Sequence, residues 1–212
     1  FVGFPIEGIK KSILSGNPIR NYFKENPEGD IKINHKEIRI YITGGSQGAE
    51  YINTTVPLIF KDMPYDIKIK HQCGKNKSIK VKELYEFNNI NAEVNEFYKY
   101  PNEQILWSDF VISRAGAISL SEITSLKRGV VMIPLPTSIG NHQLKNARSI
   151  EEINMGVLHE QKEHISHLKK KIDNIINNKI YNNWKIIKNT VHSSSSKIII
   201  KNIEGFFKNN EV

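Results

Sequence analysis

The chain has 212 residues, 39% of them apolar and 25% charged, which is enough apolar material for a buried core in one large domain or two small ones and too much for intrinsic disorder. Thirty Lys and Arg against 22 Asp and Glu leave a formal charge of +8 at neutral pH, a basic balance that suits phosphorylated ligands, nucleic acid or anionic lipid without choosing among them. The single cysteine, Cys73, excludes an internal disulfide framework and a cysteine-rich zinc site and fits a reducing compartment, and no apolar run approaches the roughly 18 residues that a membrane-spanning helix needs.

Residues 1–20 carry Pro5, Gly8, Gly16 and Pro18, which break any long element, and end in Ser15-Gly16-Asn17-Pro18-Ile19-Arg20; this is linker chemistry. The N-terminus lacks Met and the pattern of a signal peptide, so the sequence is expected to start inside a longer protein. Residues 37–43 alternate apolar side chains and run into Gly44-Gly45-Ser46-Gln47-Gly48, after which residues 49–60 take helical spacing: strand, glycine turn, helix. The order repeats with a strand over 66–71 before Gly74, a helix over 78–87, a shorter strand over 91–97 and a helix over 101–107 that opens on Pro101. Residues 109–113 read as a buried strand, 116–126 as a helix, 130–134 as a strand, 141–153 as a helix and 157–159 as a short strand. From Glu163 onward the pattern gives two or three helices, separated near 177–183 and 193–196. Strands alternating with helices predict the α/β class, a Rossmann-like doubly wound parallel sheet with a helical C-terminal tail.

In such a sheet ligands bind at the carboxyl ends of the strands, so the candidate residues are those just after strands. The Gly44-Gly45-Ser46-Gln47-Gly48-Ala49 turn qualifies: its glycines let the backbone approach a phosphate, and the following helix N-terminus favours negative charge. It is neither a P-loop nor the Gly-x-Gly-x-x-Gly fingerprint. The second candidate is Ser113-Arg114-Ala115-Gly116-Ala117-Ile118-Ser119-Leu120-Ser121-Glu122, in which Glu122 could accept hydrogen bonds from ribose hydroxyls or simply stabilise a helix N-terminus. The third is the start of the helix at Asn141, where His142, Gln143 and Asn146 group on one face and suit sugar hydroxyls or helix capping. His159, Glu160, His164 and His167 lie among lysines and read as solvated surface rather than metal ligands, and Cys73 beside His71 reads as an inert thiol. The Lys- and Asn-rich stretches read as solvated helix faces, because a nucleic-acid patch interleaves basic with aromatic residues.

Taken together, residues 15–20, the glycine turn, His71-Gln72-Cys73-Gly74-Lys75, residues 113–122 and His142-Gln143 with Asn146-Ala147 stand in the order and spacing of one family. Over residues 1–160, and through the helical tail, the chain resembles the C-terminal half of the MurG family, the bacterial transferases that add N-acetylglucosamine to undecaprenyl-pyrophosphoryl-N-acetylmuramyl-pentapeptide in peptidoglycan synthesis, and so serve cell shape and division. The resemblance implies one half of a GT-B glycosyltransferase: residues 1–20 as the end of the acceptor domain and the linker, 21–192 as the UDP-sugar donor domain and 193–212 as a C-terminal helix. It implies UDP-N-acetylglucosamine as donor, with Arg20 at the nucleotide, Ser46 at the diphosphate beside Gly45, Gln47 and Gly48, and the Tyr98 backbone at the uracil. Ala117, Ile118, Ser119, Leu120, Ser121 and Glu122 would line the nucleoside, Glu122 on the ribose, and Gln143 would reach the sugar with His142 and Asn146 near it. No metal and no other cofactor is implied. The general base and the lipid-linked acceptor would belong to an N-terminal domain outside this chain, the half present here would be inactive alone, and the whole would sit peripherally on the cytoplasmic face of the cell membrane. The other readings are a different GT-B UDP-sugar transferase, such as a glycolipid synthase, and a non-catalytic basic module for nucleic acid.

Overall fold

The alternating segment that opens at Ile38 forms the first strand, β1 (Ile38–Thr43), and the glycine turn leads into α1 (Glu50–Ile59). The computed structural model describes residues 1–5, 11–23, 36–187 and 192–208; Gly8 of the expected linker and residues 209–212 of the tail lie outside them. The remaining pairs follow in order: β2 (Ile67–Gln72) and α2 (Ser78–Phe87), β3 (Ala92–Asn95) and α3 (Pro101–Trp107), β4 (Phe110–Ser113) and α4 (Ala117–Ser125). Then come β5 (Gly129–Met132) and α5 (His142–Glu152), β6 (Gly156–Leu158), and the tail helices α6 (Ile165–Asn177), α7 (Ile180–Ile186) and α8 (Ser195–Lys208).

All six strands are parallel and lie in the order β3-β2-β1-β4-β5-β6. The chain therefore builds outward from β1 in one direction and from β4 in the other, which is the doubly wound arrangement expected from the sequence. Helix α1 packs on α2 and α6, whereas α4 packs on α3 and α5, so helices cover both faces. This double cover explains why β4 and β5 are buried at every position and read as continuous apolar runs. At the end of the sheet where β4 begins, the buried Arg128 donates to the carbonyls of Ser108 (2.7 Å) and Leu106 (2.8 Å), and Lys185 of α7 meets Asp109 at 3.1 Å.

The break expected over 177–183 is narrower in the structure. Only Asn178 and Lys179 interrupt the helices, with Lys179 at φ +50°, and α7 starts at Ile180. Tyr181 and Trp184, three residues apart on one face, are buried, and that packing overrides the asparagine-rich composition. Helix α8 leaves Ile200, Ile203, Phe206 and Phe207 exposed, and no helix among the described residues is long and apolar enough to cross a membrane.

Residues near the start of the chain reach the tail. Val2 pairs with Leu14, and residues 15–17 dock on the tail: the Asn17 N–H donates to His192 Nδ1 at 3.0 Å and Ser195 Oγ donates to the Gly16 carbonyl at 2.8 Å.

Candidate functional site

The strand order reverses between β1 and β4, where Thr43 sits beside Ser113 as the last residue of each strand. At such a switch point the two outgoing loops diverge and leave a crevice at the carboxyl edge of the sheet. Here the loops are 44–49, leading into α1, and 114–116, leading into α4. Neither helix has a side-chain N-cap, so their first-turn N–H groups face this edge without a competing side-chain acceptor.

The first loop is held by backbone fit. Gly48 has φ +69°, and a Cβ added there would stand 1.8 Å from the Cys73 carbonyl oxygen, so only glycine allows the loop to close on the end of β2. That carbonyl is itself fixed by the Asn53 side-chain amide at 2.8 Å, and Asn53 Oδ1 lies 3.1 Å from His71 Nε2. Because Asn53 uses its amide nitrogen on Cys73, its oxygen must accept, which assigns the neutral Nε2–H tautomer to His71; the Tyr85 hydroxyl then donates to Nδ1 at 2.9 Å. Complete burial holds the His71 pKa down at about 3, so it stays neutral. Ser46 and Gln47 are exposed at the tip, where Lys77 Nζ reaches the Gln47 carbonyl at 3.0 Å and brings positive charge to the loop. Cys73 is buried, its thiol donates to the Asn95 carbonyl at 3.3 Å, and burial pushes its pKa up, in accord with an inert thiol.

The second loop and α4 meet the N-terminal segment. Arg20 Nε and Nη2 each lie 2.9 Å from Glu122 Oε1, and the guanidinium stacks over the Tyr22 and Phe23 rings, 4.9 Å from each centroid. Burial raises the Glu122 pKa and Arg20 draws part of that shift back. Asn17 Nδ2 donates to Ser121 Oγ at 2.9 Å, and Ser121 Oγ donates to the Ala117 carbonyl at 2.7 Å. Of the six residues expected to line a nucleoside, Ala117 and Ser119 are half-buried and Ile118 is exposed at the helix start. Leu120 lies in the core and Ser121 is committed to Asn17 and Ala117, so neither presents a side chain to the crevice.

Helix α5 joins the same edge because Asn146 Nδ2 donates to the Ala115 carbonyl at 3.1 Å. The Leu135 N–H donates to Gln143 Oε1 at 3.0 Å, and the Ile139 carbonyl lies 2.8 Å from His142 Nδ1; both contacts shape the loop ahead of α5. Tyr98 folds back over the other half of the sheet, its N–H donating to Gln72 Oε1 at 3.1 Å and its ring edge-on to Tyr41.

Three residues named above only as members of motifs, with no role of their own, organise this edge. Gln72 links the first loop to Tyr98, Asn17 links the N-terminal segment to α4, and Arg114 Nη1 donates to the carbonyls of Ile133 (3.0 Å) and Pro134 (3.3 Å) and to Gln161 Oε1, joining the loops after β4, β5 and β6.

His159 corrects the expectation of solvated surface. It is fully buried, because its N–H extends the β6 ladder to the Met132 carbonyl at 2.9 Å and draws the ring under Tyr51, whose hydroxyl lies 3.3 Å from Nε2. His164 and His167 are exposed as expected. Among the described residues no three His, Cys, Asp or Glu side chains are grouped to hold a metal ion.

Residues 39–203 match the model of the glycosyltransferase family 28 C-terminal domain. A curated relative from Saccharophagus degradans, named UDP-N-acetylglucosamine--N-acetylmuramyl-(pentapeptide) pyrophosphoryl-undecaprenol N-acetylglucosamine transferase, is 35% identical over 168 residues, covering 76% of this chain and 42% of that protein. The chain thus spans less than half the length of that relative. Among solved structures, Acinetobacter baumannii MurG superposes with a TM-score of 0.78 at 21% identity, over 96% of this chain and 59% of that one. The UDP-GlcNAc 2-epimerase from Neisseria meningitidis, solved with UDP-GlcNAc bound, superposes with a TM-score of 0.56 at 17% identity, over 82% of this chain and 45% of that one.

Proposed function

The chain belongs to the glycosyltransferase family 28 C-terminal domain family, and from that premise we propose that it is the donor-binding half of an inverting transferase that moves N-acetylglucosamine from UDP-N-acetylglucosamine to undecaprenyl-pyrophosphoryl-N-acetylmuramyl-pentapeptide. The observation that carries the reading is the uncapped N-terminus of α1 behind a glycine loop at the β1–β4 switch point, with α4, which carries the buried Glu122 carboxylate, leaving the same edge of the sheet after β4. The curated relatives bear the name of that activity, which supports the choice of substrates.

In this reading the diphosphate lies on the glycine loop at Gly45, Ser46, Gln47 and Gly48, where N–H groups and the dipole of α1 neutralise it. The uracil meets the Tyr98 backbone. A ribose hydroxyl donates to Glu122, and Arg20, which holds Glu122 Oε1 at 2.9 Å, offsets part of the cost of burying its charge and lies next to the incoming phosphates. The sugar faces the start of α5 at Gln143, His142 and Asn146. Ala117, Ile118 and Ser119 line the nucleoside, and Leu120 and Ser121 support them from behind.

The chemistry supplied by this half is stabilisation of the departing diphosphate. Negative charge builds on the leaving group as the glycosidic bond breaks, and fixed dipoles already aimed at it lower the barrier without reorganising. The acceptor hydroxyl attacks the anomeric carbon from the opposite face and inverts it, while a general base takes its proton. That base and the lipid-linked acceptor site belong to a preceding domain. Residues 1–20 are then the end of that domain and the linker, 21–192 the donor domain and 193–212 the closing helix. The whole enzyme works peripherally at the cytoplasmic face of the bacterial membrane, where donor and lipid-linked acceptor meet.

Calorimetric titration of the chain with UDP-N-acetylglucosamine tests the reading, with UDP-glucose and a Glu122→Ala variant as controls. Binding that prefers the N-acetylated sugar and is lost in the variant is the expected result; a folded chain that ignores both nucleotides refutes it. Transfer to a soluble acceptor analogue by this chain alone would refute the assignment of the base to another domain.

A further inference from the structure

Gln72 is the last residue of β2, in register with Thr43 on one side and Asn95 on the other. Its side chain is buried, 4% exposed, and every hydrogen-bonding position on the amide is in use. The nitrogen donates to the Gly45 carbonyl at 3.0 Å and to Thr43 Oγ1 at 3.3 Å. The oxygen accepts from the Tyr98 N–H at 3.1 Å and from the Tyr41 hydroxyl at 3.4 Å. Thr43 Oγ1 also accepts the Gly45 N–H at 3.1 Å, so the Gln72–Thr43 pair grips Gly45 by both its N–H and its carbonyl. One planar amide thereby spaces the glycine loop against the Tyr98 segment.

We propose that Gln72 is a positioning residue that fixes the distance between the phosphate-binding loop and the base-binding backbone, so that the chain holds a nucleoside diphosphate at both ends at once. This inference rests on the nucleotide-sugar reading of the site. Gln72 contacts no ligand in it; it acts through Gly45 and Tyr98. A group that only filled the core would affect uridine and UDP alike, whereas this amide divides its bonds by chemistry: its donors serve the phosphate side and its acceptor serves the base side.

Gln72→Glu separates the two. A carboxylate of the same shape still accepts from Tyr98 and Tyr41 but has no proton for Gly45, and it sets an oxygen against the Gly45 carbonyl. Burial raises the pKa of such a carboxyl, and once protonated it donates again. The experiment measures dissociation constants of the wild-type chain and the variant for uridine, by chemical-shift titration, and for UDP, by calorimetry, in parallel from pH 8 to pH 5.5. With Gln72→Glu at pH 8, UDP is expected to bind about tenfold more weakly while uridine changes by less than about twofold, the size of one lost buried hydrogen bond. As pH falls the UDP ratio to wild type should shrink toward one. Thr43→Val, which removes the other half of the Gly45 grip at a half-exposed position, should give the same UDP-selective weakening and covers the case of a poorly folded Gln72→Glu. Equal weakening of both ligands, or of neither, overturns the inference while leaving the nucleotide-sugar reading intact. A folded wild-type chain that binds neither uridine nor UDP overturns both.

Discussion

Lowering the pH from 7 to 5 should cost this chain a large part of its stability through two buried imidazoles. His71 is held down to about 3 and His192 to about 4, both by burial, from an ordinary value of 6.5. Well above pH 6.5 the rings are neutral whether the chain is folded or not, and they add no pH dependence. Below it the unfolded chain takes up protons that the folded chain refuses, so stability falls with pH until the folded pKa is reached. Integrating from pH 7 to 5 gives a loss of about 2 kcal/mol for each ring and about 4 kcal/mol together, against a total of roughly 5–15 kcal/mol for a domain. Each ring matters locally as well. His71 donates to Asn53, which holds the Cys73 carbonyl beneath Gly48, and His192 accepts the Asn17 N–H. Urea unfolding followed by circular dichroism at half-unit pH steps reads the loss directly. The variant His71→Gln should be less stable at pH 7 by about 1–3 kcal/mol, because Tyr85 and Asn53 lose a partner, yet its slope between pH 6 and 5 should be shallower by about 1.4 kcal/mol per unit. A wild-type midpoint that stays flat over this range, or an unchanged slope in the variant, would refute the burial argument.

Gly48→Ala should unfold the glycine loop, because a positive φ of +69° and a Cβ 1.8 Å from the Cys73 carbonyl cannot both be relieved; thermal melting and loss of UDP binding check it. Gly45→Ala meets nothing within 4 Å and should cost only the backbone strain of φ +83°, about 1–2 kcal/mol, with the fold kept. Lys185→Met removes the ammonium 3.1 Å from the buried Asp109, whose side chain is 2% exposed and whose other oxygen keeps the Arg39 N–H at 3.0 Å, and should lower stability by about 3 kcal/mol in urea unfolding. Since this pair lies at the opposite end of the sheet from the loops, UDP affinity measured on the folded variant should stay within about twofold of wild type. Glu122→Gln keeps the shape but loses the ion pair to Arg20, and calorimetry should show weaker binding of both uridine and UDP.

The alternation of strands, glycine turns and helices was legible from residue order because it is local. Ile38, Ile40 and Ile42 mark β1, and the apolar runs at Phe110 and Val130 are those of strands covered on both faces. The glycine loop and the start of α4 could be named as candidate sites for the same reason: a strand, a glycine and a helix N-terminus follow one another within a few residues. Where local composition and packing disagreed, packing won. The asparagines around Tyr181 and Trp184 suggested a break, yet burial of those two rings makes residues 180–186 a helix of their own, and His159, polar among lysines, is drawn inside by one ladder bond to Met132.

The strand order and the polar ties across it were decided by the tertiary structure alone. Nothing within a few residues of Gln72 indicates that positions 41, 43, 45 and 98 meet on its amide, nor does the neighbourhood of Glu122 reveal an arginine 102 residues away. Periodicity fixes which face of an element is apolar, and turn chemistry fixes where it stops. Which polar groups share a buried hydrogen bond depends on how the elements are laid side by side, and only the assembled sheet sets that.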